Sequence, residues 1–445
     1  MSKGRRFRDS GRKQRSATDA ILALVNDIEI AWNKKLVTSA LFLDVKGAFD
    51  NVSRVRLLET MRQMRLPTPL VNWVEHFMTE RSIQLAFDGQ KEDLVPVETG
   101  IPQGSPVSPI LFLIYLKPLF DVLEVKHPNL QFPSYIDDVA VIAIGRSLSW
   151  NVEELESVAR TIFQWASSNA VAFDDSKSEL LHFTRARSTA ESDKKVIRLP
   201  NGTMVKPSVV LRWLGVWLDR KLSFQHHIKT KLGSAERALA AMSRLTNTEK
   251  GLTVGATRQL YMSCVIPISD FGAEIWWKDQ QGAVDKLQKL QNKATRKILG
   301  AFRTTPTPTL DAEAALLPPG HRLTFAQRRL ALRILTLDEH HPLRRRCPDR
   351  FHQMAEGISE EDLGGACWDE QESSQSRYPN ALARLLSTLK DWIKPASTVE
   401  TVNGRCEVEP AGITFHLSKS ERCGAGGNQL RNLNPRAPFE TTQVC

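Results

Sequence analysis

Two adjacent aspartates, Asp137 and Asp138, interrupt an otherwise apolar run from Phe132 to Ile144 (FPSYIDDVAVIAI). Apolar residues on both sides read as the two strands of a hairpin with the acids at its tip. Asp is common in turns, but strands on either side would hold these two rigidly. Two fixed like charges raise each other's pKa unless a cation neutralises them. A hard dication such as Mg²⁺ is the natural partner for such oxygens. The fold must therefore set this pair on the rim of a sheet.

Asp44 closes a second apolar run, Val37 to Val45 (VTSALFLDV), which reads as a strand buried on both faces. A carboxylate at that end is costly to bury without a partner. If this strand pairs beside the hairpin, three acids converge on one rim. Three such acids can hold two metal ions that clamp the attacking and leaving oxygens of phosphoryl transfer. Asp50 follows past a Gly-containing bend and reads as an N-cap for a helix near 54. Gly100 to Pro106 (GIPQGSP) adds a turn whose glycines permit close backbone approach and whose prolines stiffen it.

Around these segments the periodicity predicts helices over 16–35, 54–65, 69–80, 107–125 and 152–170. Ser16 or Thr18 would cap the first. A hairpin over 83–98 should turn at Asp88-Gly89, and short strands fit 179–184 and 209–218. From about 224 the pattern becomes amphipathic and helical, at 225–245, 255–278, 283–300 and 322–338, with prolines between 306 and 319 marking a linker. Beyond Arg344 a helix at 379–393 is expected, and the rest should be poorly ordered. Sixty Lys and Arg against 50 Asp and Glu give a charge of +10, a weak pointer to a polyanionic partner. Residues 1–15 hold seven of those basic residues, either a solvated terminus or a nucleic-acid contact. Six cysteines at no metal-ligand spacing suggest reduced thiols in an intracellular protein. No apolar run is long enough for a membrane helix, and the start lacks a secretory signal.

The order of the segments is specific. LFLDVKGAFDNV, then GIPQGSPVSPILF, then YIDDVAV resemble motifs A, B and C of reverse transcriptases, nearest to those of non-LTR (LINE-type) retrotransposons. Asp174 to Glu179 (DDSKSE) looks like motif D, and Leu211 to Val216 (LRWLGV) like the primer-grip hairpin, motif E. The resemblance implies an α+β right-hand polymerase: an antiparallel palm sheet backed by helices, with a helical thumb. It implies RNA-directed DNA polymerase activity, with an RNA template, a DNA primer and dNTPs as partners and two Mg²⁺ ions (or Mn²⁺) as cofactors.

Carried over by position, Asp44, Asp137 and Asp138 would hold the metals, with the Val45 carbonyl as a further ligand. Phe49 would be the steric gate under the deoxyribose, or else a core residue. Gln103 and Gly104 would line the nucleotide and template pocket. Lys177 would donate a proton to departing pyrophosphate, or else be a solvated lysine. Trp213, Leu214 and Gly215 would form the primer grip. Ile136, where Ala is commonest in the family, would reshape packing beside the primer end.

The expected divisions are residual fingers and a basic arm (1–36), palm (37–222), thumb (223–305), connection (306–344) and tail (345–445). Only 43 residues precede Asp44, so the fingers are expected to be truncated. No endonuclease, RNase H or CCHC knuckle is legible. A nucleic-acid-binding remnant without catalysis is the alternative. For the parent retrotransposon the resemblance implies priming at nicked chromosomal DNA with element RNA as template, and so a nuclear location with cytoplasmic assembly on RNA.

Overall fold

The structure is a computed structural model that describes residues 15–97, 99–186, 194–246, 251–347 and 380–389. The basic arm before residue 15 and most of the tail beyond 347 lie outside the described residues.

The centre is a four-stranded antiparallel sheet in the order β6-β7-β1-β8, comprising β1 (Val37–Asp44), β6 (Ser134–Tyr135), β7 (Asp138–Gly145) and β8 (Glu179–Phe183). Strands alternate their side chains between two faces, and here both faces are covered. Leu41, Leu43, Val139 and Val141 join one core with α2 (Arg54–Gln63), α3 (Thr68–Met78), α4 (Ser108–Lys126) and α5 (Leu148–Ser168). On the opposite face Phe42 meets Trp213 at 5.6 Å between ring centroids. There α1 (Ala17–Asn33) also packs on β1, with the Trp32 indole N–H donating to the Phe183 carbonyl. This two-sided burial explains why β1 is a continuous apolar run with no alternation.

Helix α1 starts as the sequence predicts, with a capping box between Ser16 and Asp19. Its further contacts are less expected. Asp19 binds Arg333, Asp27 binds Arg346 at 2.7 Å, and Glu29 takes Lys278 at 3.2 Å and Arg384 at 3.3 Å. The Asn26 amide oxygen accepts the Leu382 N–H at 3.1 Å. The helix Ala381–Ser387, inside the span expected at 379–393, thus lies on α1.

The segment between α3 and α4 is a broken hairpin: β2 (Arg81–Ile83) pairs with β5 (Val95–Val97), and β3 (Ala86–Phe87) with β4 (Gln90–Lys91). Asp88 and Gly89 both take positive φ at the turn, as the dipeptide predicts. Two further hairpins follow, β9 (Ile197–Arg198) with β10 (Met204–Val205), and β11 (Val210–Trp213) with β12 (Val216–Asp219).

The helices beyond 224 gather on a second core that includes Leu239, Tyr261, Leu290, Ala294 and Ile298. Helices α6 (Gln225–Met242) and α10 (Gln281–Leu299) are continuous. The helix expected at 255–278 is instead four pieces: α7 (Val254–Leu260), a π-turn (Tyr261–Val265), α8 (Ile266–Ser269) and α9 (Ala273–Trp276). Pro267 lacks an amide hydrogen for the helical ladder, α8 ends at a cap on Asp270, and Gly272 at φ +70° is the N-cap that starts α9. The proline-rich linker holds a short helix, α11 (Thr307–Glu313), before α12 (Pro319–Leu335) and α13 (Pro342–Arg345). Among the described residues no helix is long and apolar enough to cross a membrane.

Candidate active site

Asp44 and Asp138 are direct partners across the β1–β7 pair. Opposed residues of antiparallel strands project to the same face, which here is the face of Phe42 and Trp213. Tyr135 pairs with Asp138, so the connection is Ile136-Asp137 and not Asp137-Asp138. The two acids are therefore not both at the tip: Asp137 is in the turn and Asp138 is the first residue of β7. The turn needs a positive φ at its first residue, and Ile136 supplies it at +58°. That conformation is costly for a β-branched side chain, of order 1–3 kcal/mol.

Burial first, then the charges of Asp137 and Asp44, pushes the Asp138 carboxyl up to about 6. Among the described residues, no three His, Cys, Asp or Glu side chains are close enough as placed to form a metal cluster. Lys177 takes up part of the uncompensated charge. Its Nζ lies 2.8 Å from Asp44 Oδ2 and 3.7 Å from Asp174 Oδ2. The hydrogen bond to Asp44 is the main reason its ammonium is held above the ordinary lysine value.

Backbone hydrogen bonds position Lys177. The Asp174 N–H donates to the Asp44 carbonyl at 2.9 Å, and the Lys46 N–H to the Ala172 carbonyl at 2.8 Å. This bridge beside Val45 and Phe173 uses neighbouring groups and not the Val45 carbonyl. The Asp174 side chain caps the 3-10 turn Asp175–Lys177 and points the lysine back at β1.

The Gly100–Pro106 loop is attached to the end of the same segment. The Gly100 N–H donates to the Val52 carbonyl and the Ile101 N–H to the Phe49 carbonyl, at 2.9 and 2.8 Å. Gly100 has φ +78°, and a Cβ there would stand 2.6 Å from the Asp50 carbonyl oxygen, so only glycine fits. Gln103 Nε2 donates to Asp50 Oδ1 at 3.0 Å. Asp50 is thus not the helix cap expected from the sequence; Ser53 occupies that position, without a side-chain capping bond. Gly104 is exposed, with φ +87° and open space beside it. Phe49 is partly buried, its ring 5.5 Å from that of Phe112.

In the β11–β12 hairpin, Leu214 and Gly215 form the turn, both at positive φ, and are half-buried. Trp213 is buried against Phe42, so only the first two present surface at the tip. Two contacts were not legible as site features: the Asp50–Gln103 bond and the Arg81 guanidinium, which holds the Thr99 and Gly100 carbonyls at 2.9 and 2.6 Å. Only the polar character of those residues hinted at them.

The donor set suits a hard divalent cation. It is all carboxylate oxygen, it carries uncompensated negative charge, and an ammonium stands against one of its members.

Residues 9–218 match the family model described as reverse transcriptase (RNA-dependent DNA polymerase). The RNA-directed DNA polymerase from mobile element jockey of Drosophila melanogaster is 27% identical over 300 residues, covering 66% of this chain and 32% of the relative. The probable RNA-directed DNA polymerase from transposon X-element of the same species is 26% identical over 278 residues, covering 62% and 30%. The chain thus spans about a third of the length of these relatives. Apo telomerase from Candida tropicalis aligns over 75% of this chain and 55% of its own, at 10% identity and a TM-score of 0.35, a likeness too distant to carry a structural argument.

Proposed function

With residues 9–218 forming a reverse transcriptase domain of the kind found in non-LTR retrotransposons, we propose that this chain extends a DNA primer on an RNA template by adding dNTPs. The observation that carries the proposal is the direct pairing of Asp44 with Asp138, with Asp137 in the adjoining turn and Lys177 bound to Asp44.

Asp44, Asp137 and Asp138 would hold divalent metal, Mg²⁺ or Mn²⁺, with the Val45 carbonyl beside them. Bound there, such ions supply charge stabilisation to the attacking and leaving oxygens. The chain's own groups then position the reactants. Phe49 lies under the incoming sugar, where its ring, braced by Phe112, leaves no room for a 2′-hydroxyl. Gln103, oriented by Asp50, and the open backbone at Gly104 line the pocket for nucleotide and template base. Leu214 and Gly215 present the hairpin tip to the primer, and Trp213 supports them from the core. Lys177 Nζ is held protonated by Asp44; released from that contact, it can give its proton to a departing pyrophosphate.

The proposed divisions are a palm over 37–222, a thumb over 223–305 and a connection over 306–344. Action on chromosomal DNA would place the protein in the nucleus, after assembly on RNA in the cytoplasm. Primer extension on an annealed RNA–DNA duplex with dNTPs and Mg²⁺ tests the reading, with Asp137→Asn as control. Extension by the parent and none by the variant is expected. Equal extension by both would overturn the assignment of the aspartates.

A further inference from the structure

A cleft of about 500 Å³ lies behind the Gly100–Pro106 loop, where the start of α2, the end of α3 and the β2–β5 pair meet. Arg54 and Arg81 both line it. Each is anchored by uncharged groups. Arg54 Nη1 donates to Thr79 Oγ1 at 3.1 Å, and Arg81 Nη2 donates to the two carbonyls of Thr99 and Gly100. Neither has a carboxylate within ion-pair distance among the described residues, and Arg81 Nε is buried with no acceptor.

A buried donor with nothing to donate to is costly, and two like charges facing one cavity add to that cost. Burial, then the neighbouring Arg54, holds the Arg81 guanidinium below its ordinary pKa. Ser53, whose hydroxyl makes no capping bond, also lines the cleft. The opposite wall is apolar, from Met78, Pro96 and Val97. Glu80 lines the cleft too, outside ion-pair range of both arginines.

Two guanidinium side chains at one cleft, neither of them ion-paired among the described residues, match a phosphate group. An apolar wall beside it suits the sugar of the same unit. The cleft is tied to the loop that carries Gln103, because the carbonyls of Thr99 and Gly100 that Arg81 holds are the start of that loop.

We infer that Arg54 and Arg81 form a binding site for a backbone phosphate of a single-stranded nucleic acid, the template strand on its way to the Gln103 pocket. The identity of the strand rests on the reverse transcriptase reading above; the anion site rests on the cleft alone. A free phosphate shares the recognising chemistry, and the experiment separates the two sources.

The test uses the full chain, with anisotropy of a short labelled oligouridylate in EDTA, without primer or dNTPs, across a salt series. Arg54→Gln is expected to weaken binding roughly tenfold and to reduce the slope of log K against log salt by about 0.7, the value of one single-strand phosphate contact. Glu80→Gln, which removes a facing carboxylate, is expected to tighten binding, a gain that damage to the fold would not give. Because Arg81 also holds the loop carbonyls, Arg81→Lys is the variant used there; it keeps the charge, loses the fork and should weaken binding. Unchanged affinity and slope in Arg54→Gln would overturn the proposal. So would an Arg54-dependent rise in melting temperature with inorganic phosphate alongside oligonucleotide binding that ignores Arg54. Arg54-dependent binding by a parent that extends no primer would support this site while refuting the polymerase reading.

Discussion

Asp44 and Asp138 face each other across the β1–β7 pair, and among the described residues the Lys177 ammonium pairs with Asp44 while no cationic side chain pairs with Asp138. Asp138 therefore carries the charge penalty of the site. Its carboxyl, pushed up to about 6, is ionised near neutral pH at the expense of the fold. In metal-free buffer at neutral pH, Asp138→Asn is expected to raise stability by about 1 kcal/mol after allowance for solvent screening, while abolishing primer extension. Paired urea melts and extension assays check both halves. A variant that is less stable than the parent would contradict the charge account.

The same uncompensated charge predicts a response to divalent ions without any substrate. An ion that binds only the folded state stabilises it by mass action. Mg²⁺ should raise the melting temperature of the parent and have a much smaller effect on Asp137→Asn. Calorimetry at constant ionic strength, with NaCl replacing MgCl₂, separates specific binding from screening.

Lys177 reaches Asp44 from a turn fixed by Asp174. If it donates a proton to pyrophosphate, Lys177→Gln should slow single-turnover addition by roughly a hundredfold and leave template–primer affinity within a few-fold. A loss confined to affinity would make it an electrostatic anchor only.

Phe49 is braced by Phe112 but is only partly buried, as a ring lining a pocket should be. Phe49→Val is expected to relax sugar discrimination by at least about tenfold, read as the ratio of kcat/KM for dNTP and rNTP. An unchanged ratio, with a stability loss, would assign Phe49 to the core.

His227 gives a pH prediction away from the active site. Its Nε2–H donates to the Phe271 carbonyl at 2.9 Å, and its Nδ1 accepts the Trp217 N–H at 3.3 Å. Both ring nitrogens are used in the neutral form. Burial, with smaller contributions from Lys231 and His226, lowers its pKa to about 4. The unfolded chain therefore binds this proton more readily than the fold does. Its contribution to stability is complete above about pH 6.5 and declines as pH falls toward 4, by roughly 3 kcal/mol in all. Urea melts across that range should show the decline in the parent and a flatter profile in His227→Gln.

The sheet and its acids were legible because their signals are local. An apolar run ended by Asp44 and another broken by Asp137-Asp138 can each be read within a dozen residues. The exact turn was not, because Ile136 is an unfavourable choice for a positive φ and gives no turn signal. The long helix expected at 255–278 failed for a local reason too, since an amphipathic pattern persists through Pro267 and Gly272 although the backbone ladder does not. The linkage of Asp50 to Gln103 and the clasp on α1 depend on partners 53 to 356 residues away, which no window of sequence can show. The roles proposed for Lys177, Gln103 and the β11–β12 tip come only from family resemblance, since a lysine, a glutamine and a Leu-Gly turn are ordinary surface residues by themselves.

That clasp has a consequence for how the chain is made. Helix α1 leaves the ribosome well before its partners, for its acids Asp19, Asp27 and Glu29 find their cations at Arg333, Arg346, Lys278 and Arg384. At about 5–20 residues per second, the contact between Asn26 and Leu382 must wait some tens of seconds of translation. During that interval β1 and its Asp44 adjoin a helix whose polar face is unmatched. The strand that carries Asp44 would thus acquire its final support only after Arg384 has emerged, so a nascent chain stalled before about residue 333 should carry every residue of the candidate site and still lack its settled arrangement.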